Sequence, residues 1–208
     1  MSSEASERIE RAKRWIAEFT TNPHPDLGRD GVVCPYTTRA LRREHLTCHP
    51  FDARSGDGAM VAFVRRLRDD VADTAARVGA DRVYLVRVAV PYGLPDPLLR
   101  AMVGRVHATV RAEFVSGGFM AGDFWPAHEA VGLHSRQFRP FDSPLPLFGV
   151  RHMVVADLAF FCMPDIPPGV RLDYLARYRQ VFGAGLNAHW AQRLSAAEES
   201  ARRAVSVP

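Results

Sequence analysis

Lysine is almost missing from this chain. Lys13 is the only one among 27 cationic side chains, and arginine supplies the rest. The arginines are scattered over the polar faces of the expected helices. No basic block interleaves with aromatics, so nucleic-acid binding is not expected. The bias fits a GC-rich genome better than a binding adaptation. Cysteine is also scarce: Cys34, Cys48 and Cys162 are odd in number and widely spaced. That argues against a disulfide framework or a zinc ribbon. No apolar run approaches the roughly 18 residues that cross a bilayer. The N-terminus MSSEASERIERAKRW lacks the apolar core of a signal peptide. A cytoplasmic protein with no membrane partner is expected. GxxxxGK, GxGxxG, GxSxG and HExxH are all absent, which disfavours nucleotide hydrolysis and serine-hydrolase chemistry. No internal repeat or low-complexity tract is evident.

What is present suits one globular domain: 208 residues with 47% apolar content. Residues 6–20 predict an amphipathic helix with Ile9, Ala12, Ile16 and Phe19 on one face. TNPHPDLGRDG then breaks it. A short helix is expected near Thr37, and an extended piece over His45–Phe51. Ser55–Val78 is the clearest helix, stopped by Gly79. VYLVRVAV reads as a central strand. Pro95 and Pro97 open a helix with Leu98, Leu99, Met102, Val103, Val106, Val110 and Phe114 inward. Strands are expected near 114–124 and 147–155, and a short apolar stretch over Asp157–Phe161. A PDIPPG loop should precede two helices near 170–182 and 186–205, with a frayed tail after Arg203. The expected fold is α+β over residues 1–208, with a small, mainly antiparallel sheet and helices packed on one face. An N-terminal helix (1–22) and a C-terminal helical pair (170–205) are additions to it.

Chemistry concentrates between Gly117 and Met153, GGFMAGDFWPAHEAVGLHSRQFRPFDSPLPLFGVRHM. Long Gly- and Pro-rich loops in compact domains are usually functional. Asp123, His128 and His134 offer two imidazoles and a carboxylate, the donor set of a non-haem iron site. Hydrogen bonds to backbone are the alternative for these loop histidines. His134 follows Gly132-Leu133, which can turn its imidazole inward. His152 lies on a strand candidate, opposite in face to Arg151 and Met153. His107 and His189 fall inside expected helices and read as structural. Cys34, before Pro35-Tyr36, offers a thiolate ligand or nucleophile, or a small buried side chain. Arg136 and Arg139, spaced i, i+3 among aromatics, can hold carboxylates in forked hydrogen bonds or serve in surface ion pairs. Phe119, Phe124, Trp125, Phe138, Phe141 and Phe148 would wall a flat cofactor or an apolar substrate, or simply fill a core.

VVCPYTTRAL, GGFMAGDFWPAHEAVGLH and SPLPLFGVRHM together resemble a group of actinobacterial domains of unknown function that accompany natural-product gene clusters. Their usual pattern is close to GEFHP…GLH…FRP…SPVPLLAIRHM, and the likeness covers roughly residues 24–165. Gly132-Leu133-His134, Phe138-Arg139-Pro140 and Arg151-His152-Met153 match it. Phe124-Trp125-Pro126 stands where the group has Phe-His-Pro. The group is distantly similar to the YqcI/YcgG family, some members of which are haem-dependent N-oxygenases. The resemblance implies an oxidative enzyme carrying haem b that hydroxylates a small amino or amino-acid-like metabolite. His134 would be the axial iron ligand, and His152 a distal or alternative ligand. Arg136 and Arg139 would bind propionate or substrate carboxylate. Cys34 and Trp125 would lie at the cofactor. Two other readings are kept: a non-catalytic accessory protein that holds a pathway intermediate, which Trp125 favours, and a non-haem iron oxygenase. A small molecule is the expected partner, and a homodimer the candidate assembly.

Overall fold

The computed structural model describes residues 2–163 and 166–206. The chain divides into two compact units: Met1–Arg111 with Met120–His152, and Ala112–Phe119 with Met153–Pro208.

The first unit opens with helix α1 (Ser3–Thr20), capped by the Ser2 hydroxyl, which accepts the Ala5 N–H at 3.2 Å. Ala5, Ile9, Ala12 and Ile16 form its buried stripe. This spacing of four, three and four residues keeps one face inward. Helix α2 (Thr37–Arg42) leads into strand β1 (Leu46–Asp52). Helix α3 (Asp57–Val78) follows and buries Met60, Val64, Leu67 and Val71. Strand β2 (Val86–Tyr92) then lies parallel to β1, with Leu46 beside Val86 and Cys48 beside Val88. A long helix between two strands is what a parallel pair requires. Helix α4 (Asp96–Ser116), strand β3 (Phe119–Phe124) and strand β4 (Leu147–His152) complete the sheet elements. Of the stripe expected inward on α4, Leu98 is instead exposed. The strand order is β1-β2-β4-β3, and β2 pairs antiparallel with β4, Arg87 opposite Val150 and Ala89 opposite Phe148.

Strand alternation then sorts the side chains. Val88, Val90 and Leu147 face α1 and share a buried cluster with Ile9, Ala12 and Ile16. Arg87, Ala89, Phe148 and Val150 face the other way. There Arg87, only 7% exposed, pairs with Asp70 of α3 and donates to the Thr74 hydroxyl at 3.3 Å. Phe51 of β1 meets Phe63 of α3 on this side, 5.2 Å between ring centroids. The α+β class holds, with a mixed sheet and helices on both faces. The sign of this was in β2 itself. Five consecutive residues, Arg87 to Pro91, are buried, as in a strand covered on both sides.

The second unit contains helices α5 (Leu158–Phe161), α6 (Pro168–Phe182) and α7 (Ala188–Val205). Tyr178 is fully buried, and its hydroxyl donates to the Val155 carbonyl at 2.8 Å. Phe161 stacks on Tyr174 at 5.5 Å. Arg179 forks onto Glu198 at 2.8 and 2.9 Å, which joins α6 to α7. Those bonds outweigh burial and hold the Glu198 carboxyl below its ordinary range. The expected helical pair is therefore present. Of the expected PDIPPG loop, Pro164 and Asp165 lie outside the described residues.

Candidate functional site

Arg100, Gly104 and His107 recur at i, i+4 and i+7 and so form one stripe of α4. That stripe meets the end of β3 and the loop after it. Phe124 packs edge-on against Trp15 of α1 at 5.7 Å. Its neighbour Asp123 therefore points to the opposite face, toward α4. There His107 Nδ1 lies 3.3 Å from Asp123 Oδ2, and His128 Nε2 lies 4.0 Å from Asp123 Oδ1. The three side chains are 16%, 17% and 13% exposed. His107 also sits edge-on to Phe148 at 6.2 Å.

The loop that carries His128 is tied down locally. Trp125 stacks on the His128 ring at 4.2 Å, and the Arg100 guanidinium lies 5.4 Å over the indole. Gly104 faces the same indole, and a Cβ there would stand 3.7 Å away. Alanine would fit, and a longer side chain would meet the ring. Ala127 takes φ +59°, and its N–H donates to Asp142 Oδ1 at 2.9 Å. Left-handed backbone at a non-glycine residue costs about 1–2 kcal/mol. Such strain clusters at functional sites, where the surroundings over-determine it.

Partners settle the charge and proton positions. Burial alone would raise the Asp123 carboxyl. The His107 hydrogen bond and the two neighbouring imidazoles outweigh it and hold the carboxyl below its usual range. Burial pushes the His128 imidazole down, Arg100 and His107 push it further, and Asp123 opposes them in part. The ring is thus neutral near pH 7. The Ala130 N–H donates to His128 Nδ1 at 3.1 Å, so the ring proton is assigned to Nε2, facing Asp123. Asp123 faces the Nδ1 of His107 and so orients that ring. Both Nε2 atoms are buried without a hydrogen-bond partner among the described residues. Leaving such a group unsatisfied costs about 1–3 kcal/mol, and most such groups are satisfied by protein or by water. Chemically, the group offers two ring nitrogens and a carboxylate between them.

The other residues singled out in the sequence are placed elsewhere. His134 is exposed, on a loop whose carbonyl abuts Gly28. Phe138 of that loop stacks on Phe19 of α1 at 5.9 Å, so the loop lies on the α1 side of the sheet. His152 alternates with Arg151 on β4 and points to the other side. His134 and His152 are thus separated by the sheet. The Arg139 guanidinium donates to the carbonyls of Arg136, at 2.6 Å, and Phe138, at 3.3 Å. It braces its own loop, while Arg136 is exposed. Cys34 is half-buried, and its backbone links α1 to α2: its N–H donates to Thr20 O at 2.8 Å and its carbonyl accepts from Thr37 N–H at 3.4 Å. Asp123 and His128 do come together, with His107 as the third member in place of His134. Among the described residues no group of three or more His, Cys, Asp or Glu side chains is set to hold a metal ion. His107 read as structural because it lies inside a helix. Its signal was the Arg100, Gly104, His107 stripe beside the inward-facing apolar one.

No helix among the described residues is long and apolar enough to cross a membrane. No curated protein and no solved structure matches the chain. A family model does, over residues 9–193, a span that includes His107, Asp123 and His128 and most of both units. On that match the chain belongs to the family described as domain of unknown function DUF6875.

Proposed function

We propose that this protein is an enzyme of small-molecule metabolism that moves protons on a polar metabolite through His107, Asp123 and His128. The observation that carries the proposal is a half-buried carboxylate between two half-buried imidazoles whose Nε2 atoms are buried with no hydrogen-bond partner among the described residues. A substrate hydrogen-bonded to both would satisfy the two ring nitrogens at once. His107 Nε2 is the base, with its orientation held by Asp123. This is how a carboxylate behind an imidazole works in general. His128 Nε2–H is the hydrogen-bond donor, held in that tautomer by the Ala130 N–H on Nδ1. Trp125 and Arg100 form the adjoining wall.

The test is a metabolite extract incubated with the protein in deuterated water and read by mass spectrometry. Deuterium uptake or a new mass is expected with the wild type, and a loss of at least about 100-fold with His107→Ala. An unchanged extract from which the protein retains one component would refute catalysis and support the holding-protein reading.

The likeness to actinobacterial domains and to YqcI/YcgG supports a second reading, haem-dependent N-oxygenation with His134 as axial ligand. Two observations favour it. The His134 imidazole is exposed, open to a ligand from outside. His128 lies on Trp125, so an imidazole stands beside the position where that group carries histidine. Against it stand the sheet between His134 and His152 and the use of Arg139 within its own loop. A Soret band on haem titration that changes in His134→Ala would favour this reading over the first.

A further inference from the structure

Helix α1 carries a second stripe beside its buried one. Arg11, Arg14, Trp15, Glu18 and Phe19 fall at i, i+3, i+4, i+7 and i+8, which is one helical face. With Pro144 they line an open depression of about 400 Å³, within the size range of small-molecule sites. Trp15 and Phe19 are half-buried and stacked at 5.5 Å with 14° between their planes. Phe138 continues the column beyond Phe19. The floor is thus apolar, aromatic and rigid. Arg11 and Arg14 are exposed, and neither has an ion-pair or hydrogen-bond partner among the described residues. This contrasts with Arg8 on the same helix, which is bound to Asp96 at 2.8 Å. Two unengaged guanidinium groups outnumber the single carboxylate of Glu18 at this rim, so the local field favours an anion.

We infer that this depression binds a small aromatic carboxylate, its ring against Trp15 and Phe19 and its carboxylate held by Arg11 and Arg14. A carboxylate fits because guanidinium forks match it in two parallel hydrogen bonds. An aromatic body fits because the floor offers ring faces and edges rather than hydrogen-bonding groups. The depression lies on the α1 side of the sheet, opposite the face to which Asp123 points, so it is separate from the proton-transfer site and independent of it.

The experiment uses the full chain, 2-naphthoate and its neutral analogue 2-naphthamide, followed by calorimetry and by the indole N–H signals of Trp15, Trp125 and Trp190. Naphthoate is expected to bind and to move the Trp15 signal. Arg11→Gln combined with Arg14→Gln should weaken it by at least about tenfold and leave naphthamide unaffected. Both arginines are exposed, so the double variant should keep the wild-type melting curve. Equal binding of the two probes, movement of Trp125 or Trp190 instead of Trp15, or concentration-dependent dimerisation that buries Trp15 would each overturn the inference.

Discussion

Removing the Asp123 carboxylate asks whether His107, Asp123 and His128 act as a group or merely sit together. The carboxylate is 17% exposed and 3.3 Å from His107 Nδ1, so the contact is a partly desolvated hydrogen bond to a charged acceptor. Such bonds contribute about 1.5–3 kcal/mol. Asp123→Ala and His107→Ala should each destabilise the protein by about that much. The double variant should cost less than the sum by about 0.5–3 kcal/mol, the range for residues in direct contact. Urea denaturation at pH 7 with an unchanged slope measures all three. In a chain of this size each kcal/mol also lowers the melting temperature by roughly 2–4 °C. The pH dependence has a definite sign. The Asp123 carboxyl is held below its usual range, so folding favours the ionised form. Its contribution is complete above the unfolded value of about 3.9 and is lost as pH falls through the lower folded value. The coupling should therefore persist at pH 7 and fade below about pH 4. Single variants whose costs add to within about 0.3 kcal/mol at pH 7 would refute the grouping and remove the ground for the proposed chemistry.

Acidification from pH 7.5 to 5.5 should lower stability through His128 and His49. Burial depresses both imidazoles, and Arg87 adds to the effect at His49. The unfolded chain takes up protons first, below about pH 6.5. A urea midpoint that stays level or rises, or a fall that His128→Asn and His49→Asn leave intact, would contradict this. Gly28→Ala should destabilise the His134 loop. Gly28 has φ +74°, and a Cβ there would stand 2.4 Å from the His134 carbonyl oxygen. The backbone strain of about 1–2 kcal/mol is joined by about 1–3 kcal/mol for displacing that carbonyl. Gly31→Ala, at φ +92° with only the Arg29 guanidinium 3.6 Å away, should show the strain alone. Equal drops in melting temperature for the two variants would show that the clash is relieved at no cost.

Local signals were legible in the chain. The α1 stripe and the span and glycine stop of α3 stand where the periodicity put them, because each depends on neighbours within a few residues; the expected strand VYLVRVAV begins only at Val86, since Val83 and Tyr84 lie in a 3-10 turn. Within the long segment after Gly117, Asp123, Trp125 and His128 gather beside α4. The partner that completes the group was not legible. His107 comes from the middle of α4, 16 residues before Asp123. Nothing in the helical pattern says which strand that stripe will meet. Within the proposed haem set, His134 and His152 were neighbours by pattern only: alternate strand positions face opposite ways, so β4 carries His152 away from the α1 side, where the His134 loop lies.

The sequence by itself thus determined most of the elements and the α+β class, because capping, helical period and strand alternation act over short range. The strand order β1-β2-β4-β3, the helices on both faces and the union of His107 with Asp123 were decided by tertiary structure alone. Those depend on which face of the sheet each side chain takes and which helix covers it, a choice made when distant segments bury their apolar faces together.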